Sequence, residues 1–388
     1  MNILYCCSPP LLDYSAEQIN DLKKHVNLNV IVWVSLHAPN HTIFKLKEHA
    51  ALNGIYTFEE IKDKIENVQL LEEYFKGCSS VHFVFFPPKI GVNILNITLA
   101  LLKLVKHIKP EIVHFDDISG RMLAFLLVLK NRNIVLNVHD PVAHSGEKKL
   151  GYFVMRKIIF RKIAAFATFS HYSRKLFKKV FLPIVPVADL RLVPYNSYET
   201  LGTKKIIEIN KSPNEKVLLF FGRISPYKGI DDLLHVFSKI IQNYPESKLV
   251  IAGKGNYCYK IPEELVGSSS LIRINRYIEE SEIKSLFEQA DVLICPYKDA
   301  TQSGVLMTAA AFKTPVIVSN VGALPEYIKD GGIGYVYDLN DDNGLQNCLI
   351  SFLTESESME KRVISNNNLA VSRNSRLLVN LYAQLLSR

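Results

Sequence analysis

The sequence predicts an α/β protein made of two doubly wound parallel-sheet domains that face a cleft. Short runs rich in Val, Ile, Leu and Phe alternate with stretches of helical periodicity along nearly the whole chain, as parallel strands and their crossover helices require. That alternation lapses once, around residues 195–212, in the polar, turn-rich "YNSYETLGTKKIIEINKSPNEK". At 388 residues the chain is long enough to fill two ordinary cores. The lapse divides it into a domain at 1–198, a second at 199–370, and a terminal helix at 371–388 expected to pack back on the first.

In the first domain strands are expected at 2–6, 28–34, 81–86, 112–115, 134–138 and 166–169, each a short β-branched or aromatic run. Helical patterns fill 94–108 and 122–129 between them. The second series opens with a strand at 217–221 in "KVLLFFGRI" and a helix at 230–241. It continues through "KLVIAG" and "LIRINRYI", a helix at 280–290, and strands at 291–295 and 315–318. The periodic apolar residues of "RLLVNLYAQLLSR" close the chain as a helix. Open sheets of this kind hold ligands outside the carboxyl ends of their strands, so the loops that follow the strands are where chemistry is sought.

Composition excludes several classes. Hydrophobic residues at 48% and charged residues at 22% are those of a globular protein. Cys6, Cys7, Cys78, Cys258, Cys295 and Cys348 have neither zinc-site nor disulfide-framework spacing, and read as buried thiols of a reducing compartment. The opening "MNILYCC" lacks a basic leader region and reads as a first strand. No apolar run reaches the roughly 18 residues of a spanning helix, so a cytoplasmic protein, soluble or peripheral on the inner face of the cell membrane, is expected. The net charge of +8 is uneven: ten cations lie between Lys148 and Val180 without one Asp or Glu. Within that interval "GYFVMRKIIFRKIAAF" sets paired cations among apolar residues at helical spacing, which suits a helix lying on anionic lipid. Arg156, Lys157, Arg161 and Lys162 are the membrane-surface candidates, with a plain solvated helix as the alternative. No nucleic-acid motif accompanies the charge, and no nucleic-acid partner is expected.

Three loops of the second series carry the chemistry. In "FFGRISPYKGIDDLL" the strand ends at Gly222, and Arg223 and Lys228 lie on a loop that can turn both cations toward one point; ordinary surface cations are the alternative. In "IAGKGN" Gly253 and Gly255 allow a tight turn but match no full dinucleotide fingerprint. In "PYKDATQSGVLMTAAAFKTPVIVSNVG" a strand gives way to small residues and then at once to a helix. Helix starts carry unsatisfied amides and partial positive charge, so this loop reads as an anion seat, with a plain polar loop as the alternative.

Together "FFGRISPYKGIDDLL", "RINRYIEESEIKSLFEQADVLICPY" and "TQSGVLMTAAAFKTPVIVSNVGALPE" resemble the carboxyl-terminal half of retaining nucleotide-sugar glycosyltransferases. These have the GT-B fold of two Rossmann-like domains and form the large glycosyltransferase family 4. The resemblance covers about residues 215–340 and extends more weakly to "PEIVHFDD", "LNVHDPVAHSGE" and "FATFSHYSRKLF". It implies that Arg223 and Lys228 grip the donor diphosphate after Gly222. Asn275, Arg276, Tyr277 and Ile278 would flank the nucleotide base, largely through backbone. Thr301, Gln302, Ser303, Gly304 and Val305 would face diphosphate and sugar. His139, in "VHDP", would reach the donor sugar from the other domain. His144 and Glu147 are acceptor-side candidates; Ser170 and His171 would border the cleft, His114 reads rather as a satisfied core histidine than as a cleft residue, and the match puts Glu326 near the donor end of the sheet, as a structural or a binding residue. Where many members of the family carry two glutamates eight residues apart, this chain has Ala300 and Thr308, and "TQSGV" looks like the variant of exopolysaccharide-type members.

The implied reaction passes a sugar from a UDP- or GDP-sugar to a lipid-linked or oligosaccharide acceptor in surface polysaccharide synthesis, with retention and without a metal or other cofactor. Arg223, Lys228 and His139 are the expected catalytic residues, the two cations stabilising charge on the departing diphosphate. The alternatives are a non-catalytic nucleotide-sugar binder and a nucleotide-sugar epimerase of the same fold.

Overall fold

The computed structural model describes residues 1–36, 41–47, 52–87, 93–130, 133–142, 150–202, 204–205, 209, 215–329, 334–354 and 367–388. The chain forms two compact units, one of Met1–Val142, Lys148–Val193 and Asn368–Arg388, the other of Pro194–Asn367.

Among the described residues the first unit is built on eight strands: β1 (Asn2–Cys7), β2 (Asn27–Ser35), β3 (Gly54–Thr57), β4 (Ser80–Phe86), β5 (Ile112–Phe115), β6 (Ile134–Val138), β7 (Ala165–Thr168) and β8 (Val187–Asp189). They lie in the order β3-β4-β2-β1-β5-β6-β7-β8. In β1, β5 and β6 every residue but Asn2 is buried, as a sheet covered on both faces requires. Tyr5 of β1 stands opposite Val30 of β2 and His114 of β5. One apolar core on this sheet joins Phe115, Phe125, Leu136, Phe166 and Phe177. The helix Asn367–Leu386 belongs to the same unit: Gln18 donates to Ser375 Oγ (3.0 Å), and Asn374 binds both backbone atoms of Arg191 (3.0 and 2.7 Å).

Among the described residues the second unit has six strands, all parallel: β9 (Lys216–Phe221), β10 (Ser247–Ala252), β11 (Leu271–Ile274), β12 (Val292–Cys295), β13 (Val316–Ser319) and β14 (Gly334–Tyr337), in the order β11-β10-β9-β12-β13-β14. The helix Ile230–Ile240 buries Leu233, Leu234 and Phe237 against it.

Both sheets are parallel as expected, save that the edge strand β3 pairs antiparallel with β4. One expectation needs correcting. Only Cys6, Cys7 and Cys295 are buried; Cys78 and Cys348 are intermediate and Cys258 is exposed. In the helix Leu150–Phe160 the described apolar side chains turn mostly inward. Ile159 is buried, and Phe160 packs on Phe166, Phe177 and Phe181, leaving only Ile158 of the three exposed.

Candidate functional site

In the second sheet β10 and β12 flank β9 on opposite sides, so the strand order reverses between β9 and β12. This is where an open α/β sheet parts its loops and receives a ligand. The loops at 222–229 and 296–303 stand there. Gly229 has φ +69°, and a Cβ on it would lie 1.9 Å from the Pro296 carbonyl oxygen, so only glycine lets the loops meet so closely. That contact carries Lys228 to Tyr297, whose ring centroid is 3.5 Å from Nζ; the Tyr227 ring is 5.2 Å away. No carboxylate pairs with Lys228 among the described residues. Burial brings its pKa down to about 8, with Cys295 opposing and the like charge of Arg223 reinforcing the shift. Arg223 is exposed on the same loop, and the Gly222 amide ties the loop to the Ala252 carbonyl (3.0 Å).

Tyr297 links this loop to the next helix, its hydroxyl lying 3.5 Å from Ser303 Oγ. Ser303 is the N-cap of the helix Gly304–Ala311 and makes no side-chain capping bond, so the first-turn amides have no cap from it. Thr301 and Ser303 are buried, whereas Gln302, Gly304 and Val305 are partly exposed. Val305 Cγ2 comes within 3.3 Å of the point where a Cβ on Gly222 would stand, which brings the two loops together. Ala300 and Thr308, at the two positions of the absent glutamates, are both buried.

The loop after β11 is braced by its own side chains. The Asn275 amide exchanges two 3.2 Å hydrogen bonds with the Gly255 backbone. Arg276 forks onto Glu282 at 2.7 and 2.8 Å, and Glu282 also closes a capping box on Glu279. The Tyr277 hydroxyl donates to Glu280 (2.5 Å), and Ile278 is buried. What this segment offers a ligand is therefore mainly backbone and the exposed Tyr277 ring.

In the first unit the order reverses between β1 and β5, and a cavity of about 260 Å³ opens there, lined by Pro10, Leu11, Asp117, His139, Asp140 and Arg156 among others. His139, just past β6, stacks on Phe169 at 4.4 Å and donates to buried Asp116 (3.1 Å). Behind it runs a buried polar chain. Asn137 donates its amide N–H to Asp116 (2.6 Å), so its oxygen faces His114 Nε2 (2.9 Å), which must carry the proton. His114 Nδ1 then accepts from the Tyr382 hydroxyl (2.5 Å), and Ser15 also donates to Asp116. Burial lowers the His114 pKa to about 4, against its bond to Asn137, and keeps the ring neutral. Burial alone would raise Asp116, but bonds from His139, Asn137 and Ser15 hold it below the usual carboxylate range. Burial likewise opposes the charge on His139, yet Asp116, Asp117 and Asp140 together raise its pKa. Asp117, on the cavity wall, is raised by burial.

His144 and Glu147 lie outside the described residues. Arg156 is not a free surface cation: Nη1 donates to the carbonyls of Asp140 (2.9 Å) and Pro141 (3.1 Å), and its guanidinium lies over Phe160 and Phe181. Lys157, Arg161 and Lys162 are exposed, with Lys162 Nζ on the Leu126 carbonyl (3.2 Å). Ser170 caps the helix His171–Phe181, exposed His171 sits 3.7 Å from Asp189, and Glu326 lies in the first turn of the helix Leu324–Lys329. Sequence reasoning missed Asp116, Asn137, Tyr297 and Tyr382; the acidic pair in "VHFDD" was the one available sign. Among the described residues no group of three His, Cys, Asp or Glu could hold a metal, and no helix is long and apolar enough to cross a membrane.

Comparison with known proteins bears on the second unit above all. Residues 203–369 match the family described as Glycosyl transferases group 1. The chain is 28% identical over 274 residues to the putative glycosyltransferase YtcC of Bacillus subtilis, an alignment that covers 65% of this chain and 66% of that protein's length. It is 25% identical over 300 residues to an uncharacterized 41.2 kDa protein in the cps region of Klebsiella pneumoniae, covering 71% of this chain and 80% of the other. Among solved structures, sucrose-phosphate synthase from Thermosynechococcus elongatus superposes with a TM-score of 0.66 at 14% identity, over 99% of this chain and 100% of that one. The likeness shows a GT-B fold of two Rossmann-like domains.

Proposed function

We propose that this protein is a retaining hexosyltransferase that moves a sugar from a nucleoside-diphosphate sugar, UDP- or GDP-linked, to a lipid-linked or oligosaccharide acceptor in surface polysaccharide synthesis, at the cytoplasmic face of the membrane. In this reading 199–370 is the donor domain and 1–198 the acceptor-side domain. The observation that carries it is Lys228, a half-buried cation without a carboxylate partner among the described residues, beside Arg223 and next to a helix start that lacks a side-chain cap. A cation kept from water and from counter-charge is poised for an anion, and the donor diphosphate is the anion this family match suggests.

The bond from the anomeric carbon to the diphosphate oxygen breaks, the acceptor oxygen forms its bond on the same face, and the acceptor's proton passes to the departing diphosphate oxygen. Lys228, Arg223 and the amides at Ser303 and Gly304 stabilise the charge that collects on the leaving group. His139 is assigned a hydrogen bond to the sugar, with general base for the acceptor as the less favoured role; Asp116, Asp117 and Asp140 raise its pKa against burial. No residue is assigned as nucleophile, and the reaction as written involves no metal.

The test is incubation with UDP- and GDP-sugars, with and without oligosaccharide acceptors, following nucleoside diphosphate release, and proton NMR of the product anomer. Transfer with retention is expected. Nucleotide-induced stabilisation without turnover would leave a non-catalytic binder, and an epimer formed from donor alone would identify an epimerase.

A further inference from the structure

The strongly cationic segment finds apolar companions at one edge of the first sheet. The helices Leu123–Val128, Leu150–Phe160 and His171–Phe181 each lead into a parallel strand, β6, β7 and β8, so all three end at the edge where those strands begin. Side-chain contacts tie these ends together: Lys162 Nζ bonds the carbonyls of Leu126 and Leu127, and the Phe160 ring lies 4.9 Å from Phe181. Exposed here are Leu127, Val128, Ile158, Leu182 and Ile184, with Leu182 77% accessible and Ile184 fully so. Lys130, Arg161, Lys162, Lys178 and Lys179 stand exposed among them, and no Asp or Glu occurs from Lys148 to Ala188. Leu182 caps its helix in the left-handed region, φ +49°, a place that glycine fills without strain. The chain thus holds a bulky apolar side chain in an unfavourable conformation and leaves it in water.

We propose that this edge docks on an anionic lipid bilayer, with Leu182 and Ile184 entering the interface and the surrounding cations meeting headgroup phosphates. Charge complementarity selects the bilayer: juxtamembrane cations are drawn to anionic leaflets, and isolated aliphatic side chains gain by entering them. A protein partner fits less well, since protein interfaces are depleted in lysine and enriched in aromatic anchors, and the tip has neither trait. The proposal deepens the peripheral placement given above and rests on that reading for its purpose, although binding can be measured without any catalysis.

The test is sedimentation of the full chain with vesicles of phosphatidylglycerol and phosphatidylcholine, against vesicles of phosphatidylcholine alone. The chain is expected to pellet with the anionic vesicles only, and less as salt rises. Leu182→Gly with Ile184→Ser should weaken binding roughly tenfold or more, while the thermal midpoint stays level or rises because the strained cap is relieved. Lys178→Gln and Lys179→Gln should each cost about fivefold. Wild-type chain left in the supernatant, or a double variant that pellets like wild type, overturns the proposal. So does a wild-type dimer that the double variant dissociates, which would make the edge a contact between copies. Donor hydrolysis is measured in parallel: its absence, with vesicle binding intact, defeats the transferase reading alone.

Discussion

Lys228 and His139 are two perturbed bases whose shifts run in opposite directions. Replacing Lys228 with Met should lower turnover on the order of 10²-fold or more and abolish stabilisation by nucleoside diphosphates, read by steady-state kinetics and thermal shift. Because its folded pKa is about 8 against an ordinary 10.5, the unfolded chain binds the extra proton between those values. This residue therefore makes stability rise with pH across that window, while diphosphate binding weakens above pH 8 as the ammonium is lost. His139 behaves in the opposite sense. Its folded pKa is raised, so the stability it contributes is fully present below about 6.5 and is lost as pH rises through the folded value. Asp116→Asn should drop the His139 pKa below its ordinary value, since burial then acts with less opposition, and an imidazole NMR titration would show it. Arg223 and Lys228 were legible because their loop follows a strand and opens a helix. Asp116 and Asn137 were not, because their partners lie on other strands and their meaning comes from pairing across the sheet.

Among the elements, the tight approach of the loops after β9 and β12 depends on Gly229. Gly229→Ala should cost at least about 2 kcal/mol by denaturant unfolding, since the left-handed φ and the collision with Pro296 add together. Nucleotide affinity should fall with it, because Lys228 is the neighbouring residue. The terminal helix Asn367–Leu386 supplies the last link of the buried chain. Tyr382→Phe leaves His114 Nδ1 without its donor and should destabilise by about 1–3 kcal/mol in the same measurement. The interior strands and long helices followed their apolar runs closely. β3, β8 and β14 escaped, being edge strands that are only partly buried and so lack a continuous apolar run. The helix Leu150–Phe160 was legible as a helix from its period, but which of its apolar residues turn inward was not, because the same period serves a core and a membrane.

For the molecule as a whole, a donor nucleotide at a hundred times its Kd should add about 2.7 kcal/mol of stability, visible as a concentration-dependent thermal midpoint. Removing Asn368–Arg388 should destabilise the first unit, whose Gln18, Arg191 and His114 lose partners, while the second keeps its nucleotide binding; tryptophan fluorescence of Trp33 and thermal shift with nucleotide would separate the two effects. The alternation of interior strands with helices, the existence of two α/β units and the cationic loop at the end of β9 were determined by the sequence alone, since period, turn chemistry and charge act between near neighbours. Tertiary structure alone decided that Lys228 sits over Tyr297, that His139 is held by Asp116 with Asn137, His114 and Tyr382 behind it, and that the apolar tip at Leu182 and Ile184 is left in water. The physical reason is that burial and long-range hydrogen bonding depend on which distant segments meet, and a side chain's charge, tautomer and exposure are settled only by that meeting.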